Sequence, residues 1–265
     1  MSGVLQGRYP YVTFGAGPHT AVVLPGMALD NGTPGRLVAR SYAYGFRRLA
    51  RDHTVYVVHR GHGLPPGAGT RDIAADYARL LRAEVGPARV LALSTGGLIA
   101  QHLALDHADL VHRLALVVTG ARLAPAGVRI CRRWRDLAAA GRWRLLRGDM
   151  AAAVVDGPGA QWLARAFGAA FGGAPPAPVD LADFRTTVDA VLGHDTLARL
   201  PALTVPTLLI GGADDPFFPA AALRETAAAS PGVHLRVHDG AGHGLPKQRA
   251  ALVQEQVVTF FGARQ

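Results

Sequence analysis

Six short runs of valine, leucine, isoleucine and alanine carry the chain's apolar pattern. They lie at residues 20–24, 55–59, 89–93, 113–118, 207–210 and 234–237. Most are apolar at successive rather than alternate positions, which predicts strands buried on both faces of a mostly parallel sheet. Between them, residues 36–51, 71–84, 96–105 and 220–229 read as helices, and 249–261 reads as a closing helix. Such alternation predicts an α/β architecture, a twisted sheet with helices on both faces. It is interrupted between about residues 121 and 200. That stretch is too long for a crossover and holds helical segments, Trp134, Trp143, Trp162 and a Pro-rich linker from Gly172 to Pro178. The expected organisation is one core, residues 1–120 and 201–265, with a helical insertion at 121–200. No internal repeat is present.

The chemistry sits where strands end. Val90-Leu91-Ala92-Leu93-Ser94-Thr95-Gly96-Gly97-Leu98 runs from an apolar strand through a serine into a helix without a break. That is the layout of a nucleophile elbow, a sharp turn that lifts the serine Oγ above the sheet. Small residues are needed two positions either side of the serine, and Ala92 and Gly96 supply them. Alanine in place of the usual first glycine is a departure, and a Ser-x-Gly-Gly turn without chemistry is the plain alternative. Further on, Leu208-Leu209-Ile210-Gly211-Gly212-Ala213-Asp214-Asp215-Pro216 reads as a strand whose loop presents a carboxylate. Asp215 is favoured over Asp214 by its spacing after Gly212 and its place before Pro216. Near the C-terminus, Asp239-Gly240-Ala241-Gly242-His243-Gly244 puts a histidine in a glycine-rich loop. Upstream, Ala21–Leu24 runs into Pro25-Gly26-Met27, where an oxyanion-binding N–H is required. The order Ser, Asp, His is the one expected on α/β-hydrolases.

With these residues in place, the chain resembles the α/β-hydrolase superfamily, in its small serine esterase and lactonase-like branch, from about Thr20 to the C-terminal helix. The resemblance implies that the insertion is a helical cap placed after the sixth strand. It also implies Ser94 as nucleophile, Asp215 as acid and His243 as base, with the backbone N–H groups of Met27 and Thr95 as the oxyanion hole. Arg60-Gly61-His62-Gly63 and Asp215-Pro216-Phe217-Phe218-Pro219 resemble further segments of the family. Pro25-Gly26 departs from the family's common His-Gly, but a preceding proline does not remove the Met27 N–H. A serine at the elbow argues against the dehalogenase and epoxide hydrolase branches, which carry Asp there. The expected activity is cleavage of a carboxylic ester, lactone or thioester through an acyl-enzyme. The alternative is non-hydrolytic chemistry on the same residues, as in a lyase or cyclase of a specialised metabolite. Trp134, Trp143 and Trp162 are candidates for lining an acyl pocket, against plain packing between cap helices.

Composition narrows the remaining classes. The net charge of +9 comes from 28 Lys and Arg against 19 Asp and Glu, and Lys247 is the sole lysine. So uneven a choice of arginine reads as genome composition more than as a basic design. Arg122, Arg129, Arg132, Arg133, Arg135, Arg142, Arg144 and Arg147 nevertheless crowd the first part of the insertion. A solvated helix face is the plain reading; an anionic or carrier-bound acyl substrate is the sharper one. No motif supports nucleic-acid binding. No apolar run reaches the roughly eighteen residues of a membrane span, and residues 1–7 do not form a secretory leader. The single Cys131 leaves no disulfide within the chain and fits a cytoplasmic setting. No Cys/His cluster has metal-ligand spacing, so no cofactor is expected and the substrate is a small acyl molecule.

Overall fold

In the computed structural model, which describes residues 1–171, 173 and 176–262, eight strands form one sheet. They are β1 (Ser2–Leu5), β2 (Tyr9–Phe14), β3 (His19–Leu24), β4 (His53–Val58), β5 (Ala88–Leu93), β6 (Val111–Val117), β7 (Thr207–Gly212) and β8 (Val233–His238). Their order across the sheet is β1-β2-β4-β3-β5-β6-β7-β8. From β4 to β8 every pairing is parallel, while β1 and β2 join antiparallel. β3 to β8 are the six strands expected from the apolar runs. The β1–β2 hairpin was not anticipated. β1 is a half-exposed edge strand and β2 mixes Pro10 and Thr13 with its apolar residues, so neither shows a continuous apolar run, and both residues of the turn that joins them, Gln6-Gly7, have positive φ.

Strand alternation sends Val22 and Leu24 to one face of the sheet, Ala21 and Val23 to the other. The first face packs on α2 (Thr70–Leu80), α3 (Thr95–Asp106) and α8 (Ala220–Ala228). On the second lie α1 (Arg36–Gly45) and α10 (Ala250–Gly262), which contributes Val253, Val257 and Phe261. Two expected helices are shorter than read. The 36–51 segment breaks after Gly45 and resumes as a 3₁₀ turn at Leu49–Arg51. The 71–84 segment leaves α-helical form at Leu81, where a π-helical turn carries it to Val85.

Between β6 and β7 stand four helices, α4 (Pro125–Ala139), α5 (Trp143–Ala152), α6 (Pro158–Phe171) and α7 (Pro178–Leu192). Gly172, Ala174 and Pro175 of the linker lie outside the described residues. α5 crosses α6 closely, because Gly148 has no side chain and a Cβ there would collide with the Arg165 carbonyl. Asp149, buried on α5, takes the Nε–H groups of Arg133 from α4 and Arg165 from α6, tying three helices at one carboxylate. A short helix, α9 (Leu245–Gln248), precedes α10. No helix among the described residues is long and apolar enough to cross a membrane.

His53 and His194 are buried. His194 takes part in a polar knot behind α3: its Nδ1 meets Thr70 Oγ1 at 2.8 Å, and Arg199 donates to His102 Nδ1 at 2.9 Å. Burial lowers the pKa of His194 to about 3 and those of His102 and His59 to about 4. Above pH 6.5 these imidazoles are neutral folded or unfolded and contribute nothing to pH dependence. Below it the unfolded chain takes up protons that the native chain refuses. Stability therefore falls as pH drops from about 6.5 towards about 4, by at most ~1.4 kcal/mol per pH unit for each proton. Solvent screening reduces the share of His102, which is only partly enclosed. Urea unfolding at pH 7.5 and 5.0 should give a lower midpoint at pH 5.0 with unchanged slope; an unchanged midpoint contradicts this account.

Candidate active site

Ser94 sits between β5 and α3 with φ 50° and ψ −118°, a conformation that non-glycine residues rarely adopt. The neighbours explain why the turn closes. A Cβ on Gly96 would run into the Leu24 carbonyl, and one on Gly97 into Thr119, so both must be glycine for α3 to lie against β3 and β6. Ala92 is fully buried and its methyl is accommodated. Ser94 N–H donates to the Val117 carbonyl at 2.9 Å, and its own carbonyl accepts from Gly97 at 2.8 Å. Strain is thus held by the sheet on one side and the helix on the other. Val118, at the end of β6 and lining the same cavity, also has positive φ (48°).

The loops after β7 and β8 bring Asp215 and His243 to this serine. His243 Nε2 lies 2.9 Å from Ser94 Oγ, and His243 Nδ1 lies 2.7 Å from Asp215 Oδ2. The carboxylate can only accept, so Nδ1 carries the proton and Nε2 is left to accept from the serine hydroxyl. The other Asp215 oxygen accepts from the N–H groups of Phe217 and Phe218 at 2.8 and 3.2 Å. Pro216 opens that tight turn. Asp214 is exposed at the rim of the loop, and its N–H donates to the Ala241 carbonyl. Phe217 packs on the imidazole, with ring centroids 4.5 Å apart. From the insertion, Asp156 accepts from Gly242 N–H at 3.1 Å and so braces the histidine loop.

Met27 and Thr95 line the cavity over Ser94 together. Thr95 is the first residue of α3, so its N–H has no acceptor within the helix and stands at the helix's positive end. The Met27 loop is positioned by residues whose part was not foreseen. Arg60 is buried and donates to the Gly26 carbonyl at 3.1 Å, while Asn31 Nδ2 donates to the Arg60 carbonyl. Asp183 on α7 takes the N–H groups of Gly63 and Leu64 at 2.9 and 2.7 Å, and Asp180 accepts from Asn31 N–H at 3.3 Å. His62 faces both carboxylates, at 3.6 and 3.9 Å. The Arg-Gly-His-Gly segment was the signal for this arrangement; its carboxylate partners, some 120 residues away, were not legible.

The cavity above Ser94 has a volume of about 230 Å³. Its walls come from Leu98, Leu123, Trp134, Met150, Val191 and Phe217, so α4, α5 and α7 supply part of it. Trp134 therefore reaches the cavity, and its Nε1 is buried without a hydrogen-bond partner. Trp143 does not line it; that ring packs partly buried against the core. Trp162 does not line it either, being 65% exposed on α6. Cys131 is also in the wall, and burial pushes its thiol up to about 12, which removes it as a competing nucleophile. A second, more polar cavity of about 360 Å³ reaches His243 from the α5–α6 side, past Arg133, Asp149 and Arg165.

Residues 21–255 match the model of a family described as "Alpha/beta hydrolase family". The chain belongs to the alpha/beta hydrolase family. Across its whole length this family member is similar in fold to an alpha/beta hydrolase from a Medee basin deep-sea metagenome, with TM-score 0.79, 15% identity, and 100% and 98% of the two chains covered. It is 40% identical over 112 residues to a pimeloyl-[acyl-carrier protein] methyl ester esterase of Chromobacterium violaceum, covering 42% of this chain and 40% of that protein. It is also 29% identical over 255 residues, 93% of this chain, to polyketide synthase ThaQ of Burkholderia thailandensis. The chain spans only 12% of that synthase's length.

Proposed function

We propose that this protein is a serine hydrolase that cleaves a carboxylic ester, lactone or thioester through an acyl-enzyme. One observation carries the reading: the unbroken chain from Asp215 through His243 to Ser94 Oγ, opening into an apolar cavity beside the Met27 and Thr95 backbone. Ser94 Oγ attacks the substrate carbonyl while His243 Nε2 takes its proton. The developing oxyanion accepts from the N–H groups of Met27 and Thr95. Collapse expels the alcohol or thiol, which receives the proton from His243 and leaves Ser94 acylated. Water then attacks the acyl-serine, giving its proton to His243, and the acid is released with Ser94 restored. Asp215 keeps the imidazole in the tautomer that makes each transfer possible. The insertion acts as a cap, since α4, α5 and α7 roof the cavity with apolar walls and α6 packs on α5 behind them.

A fluorophosphonate tests this directly, because it phosphonylates only an activated serine. Intact mass should show a single adduct on the native protein and none on Ser94→Ala. Absence of the adduct on the native protein, or its persistence in the variant, defeats the proposal.

The acyl group is further proposed to arrive on an anionic carrier. Arg122, Arg133, Arg135 and Arg147 are engaged in ion pairs, whereas Arg129, Arg132, Arg142 and Arg144 are exposed with no ion-pair partner among the described residues. Those four leave positive potential on α4 and at the start of α5, and the C. violaceum relative is named for a carrier-bound ester. Arg132→Glu with Arg144→Glu should raise KM about tenfold for an acyl-carrier thioester at low salt and leave a neutral ester alone. Equal effects on both would remove the carrier from the reading.

A further inference from the structure

A larger cavity lies under α1, and nothing so far has used it. Its volume is about 540 Å³, more than twice that of the cavity above Ser94. The floor is the second face of the sheet, at Val23, Leu91 and Val117, and Val253 and Val257 of α10 form one side. The hollow has a cause in sequence. Tyr42 and Tyr44 of α1 border it together with Ser41 and Gly45, one helical turn apart, and these two small residues leave part of the space beneath the helix unfilled. Leu37 and Val38 of the same helix are exposed instead, and no residue of α1 is buried. Interiors are otherwise close-packed, and an apolar hollow left empty forfeits contacts on every wall.

The two cavities share Gly26, Leu93, Pro246 and Lys247. Leu93 directly precedes Ser94, and Gly26 directly precedes Met27, so the shared wall stands beside the atoms proposed to react. Gly26 keeps that wall thin: a Cβ there would lie 3.3 Å from Ser94 Cβ and 3.9 Å from Ser94 Oγ. We propose that the cavity under α1 is the binding chamber for a long, unbranched acyl chain, which enters from Ser94 between Gly26 and Leu93 on one side and Pro246 and Lys247 on the other. The proposal rests on Ser94 being the acylated residue. The chain's methylenes replace the contacts that α1 leaves unmade, and the carbonyl stays at the serine. Ser41, Tyr42, Arg47, Lys247 and Gln254 supply the polar positions of the lining.

Dodecanoate binding to the Ser94→Ala protein, measured by calorimetry, tests the chamber without any turnover. Gly45→Phe fills the hollow from α1, where a Cβ meets nothing within 4 Å. Ser41→Trp fills it from the previous turn. Each buried methylene is worth about fourfold in affinity, so either variant should weaken dodecanoate at least about tenfold. With Ser94 intact, both should lower kcat/KM for p-nitrophenyl dodecanoate by a similar factor and change p-nitrophenyl butyrate by less than about twofold. Unchanged dodecanoate affinity in both variants, or no binding to the parent, overturns the chamber. So does an equal loss for the short and long esters, which would mean that α1 acts through the fold. If no ester is cleaved and dodecanoate binding still depends on Ser41 and Gly45, the chamber stands and the hydrolase reading falls.

Discussion

Ser94→Ala and His243→Ala are each expected to lower kcat for ester cleavage by about 10⁶-fold, and the double variant by no more than either alone. The hydroxyl and the imidazole act as one unit. Without the serine there is nothing to acylate, and without His243 the hydroxyl has no base within reach. What remains is whatever the Met27 and Thr95 N–H groups stabilise when water attacks directly. The fold should survive both changes. Ser94 is tied to the sheet by its backbone, through Val117, and alanine adopts the same backbone as readily as serine. Steady-state rates with a short p-nitrophenyl ester, alongside unfolding midpoints, check the claim. Multiplicative losses in the double variant would mean that the two residues act in separate steps. Retention of activity in Ser94→Ala would point to proton-transfer chemistry and away from an acyl-enzyme.

Much of this arrangement could be read from the chain because it depends on local rules. Val90 to Gly97 encodes the elbow within eight positions: an apolar strand, a serine, then residues small enough for a tight approach. The carboxylate and histidine loops are likewise announced by a strand ending in turn-forming residues. Other parts depend on contacts between distant segments, and no local pattern marks them. Arg60 stands in the recognisable Arg-Gly-His-Gly segment, but the hold of its guanidinium on the Gly26 carbonyl depends on a loop 34 residues away. Asp183 carries no local signal, yet it is buried and holds the backbone of Gly63 and Leu64. His194 and His53 went inward for the same reason: polar partners contributed by other elements make their burial tolerable. The tryptophans show the limit most plainly. Trp134, Trp143 and Trp162 are equivalent as letters, and only the turning of each helix decides which ring meets the cavity. The hollow beneath α1 is legible only in retrospect, because Ser41 and Gly45 do not stand out on a helix that also carries Ala39 and Ala43.

Asp215→Asn is expected to reduce kcat by about 10⁴-fold while Asp214→Asn stays within about twofold of the native protein. The two residues are adjacent and chemically identical, so the contrast isolates geometry. Asp215 Oδ1 accepts two backbone N–H groups, from Phe217 and Phe218. In the asparagine variant the amide oxygen must keep that place, because an amide nitrogen there would face two donors. The NH₂ then turns to His243 Nδ1, which can meet it only as an acceptor. The imidazole proton is forced onto Nε2, the atom that has to receive the Ser94 proton, and the base is lost without any side chain moving. The variant should therefore fold normally and still admit substrate, so KM changes little. Asp214 keeps only a backbone bond to Ala241, and its exposed carboxylate has no contact to lose at the imidazole. Parallel kinetics on the two variants decide the assignment, since a greater loss at Asp214→Asn would show that the acid of the site is the other carboxylate.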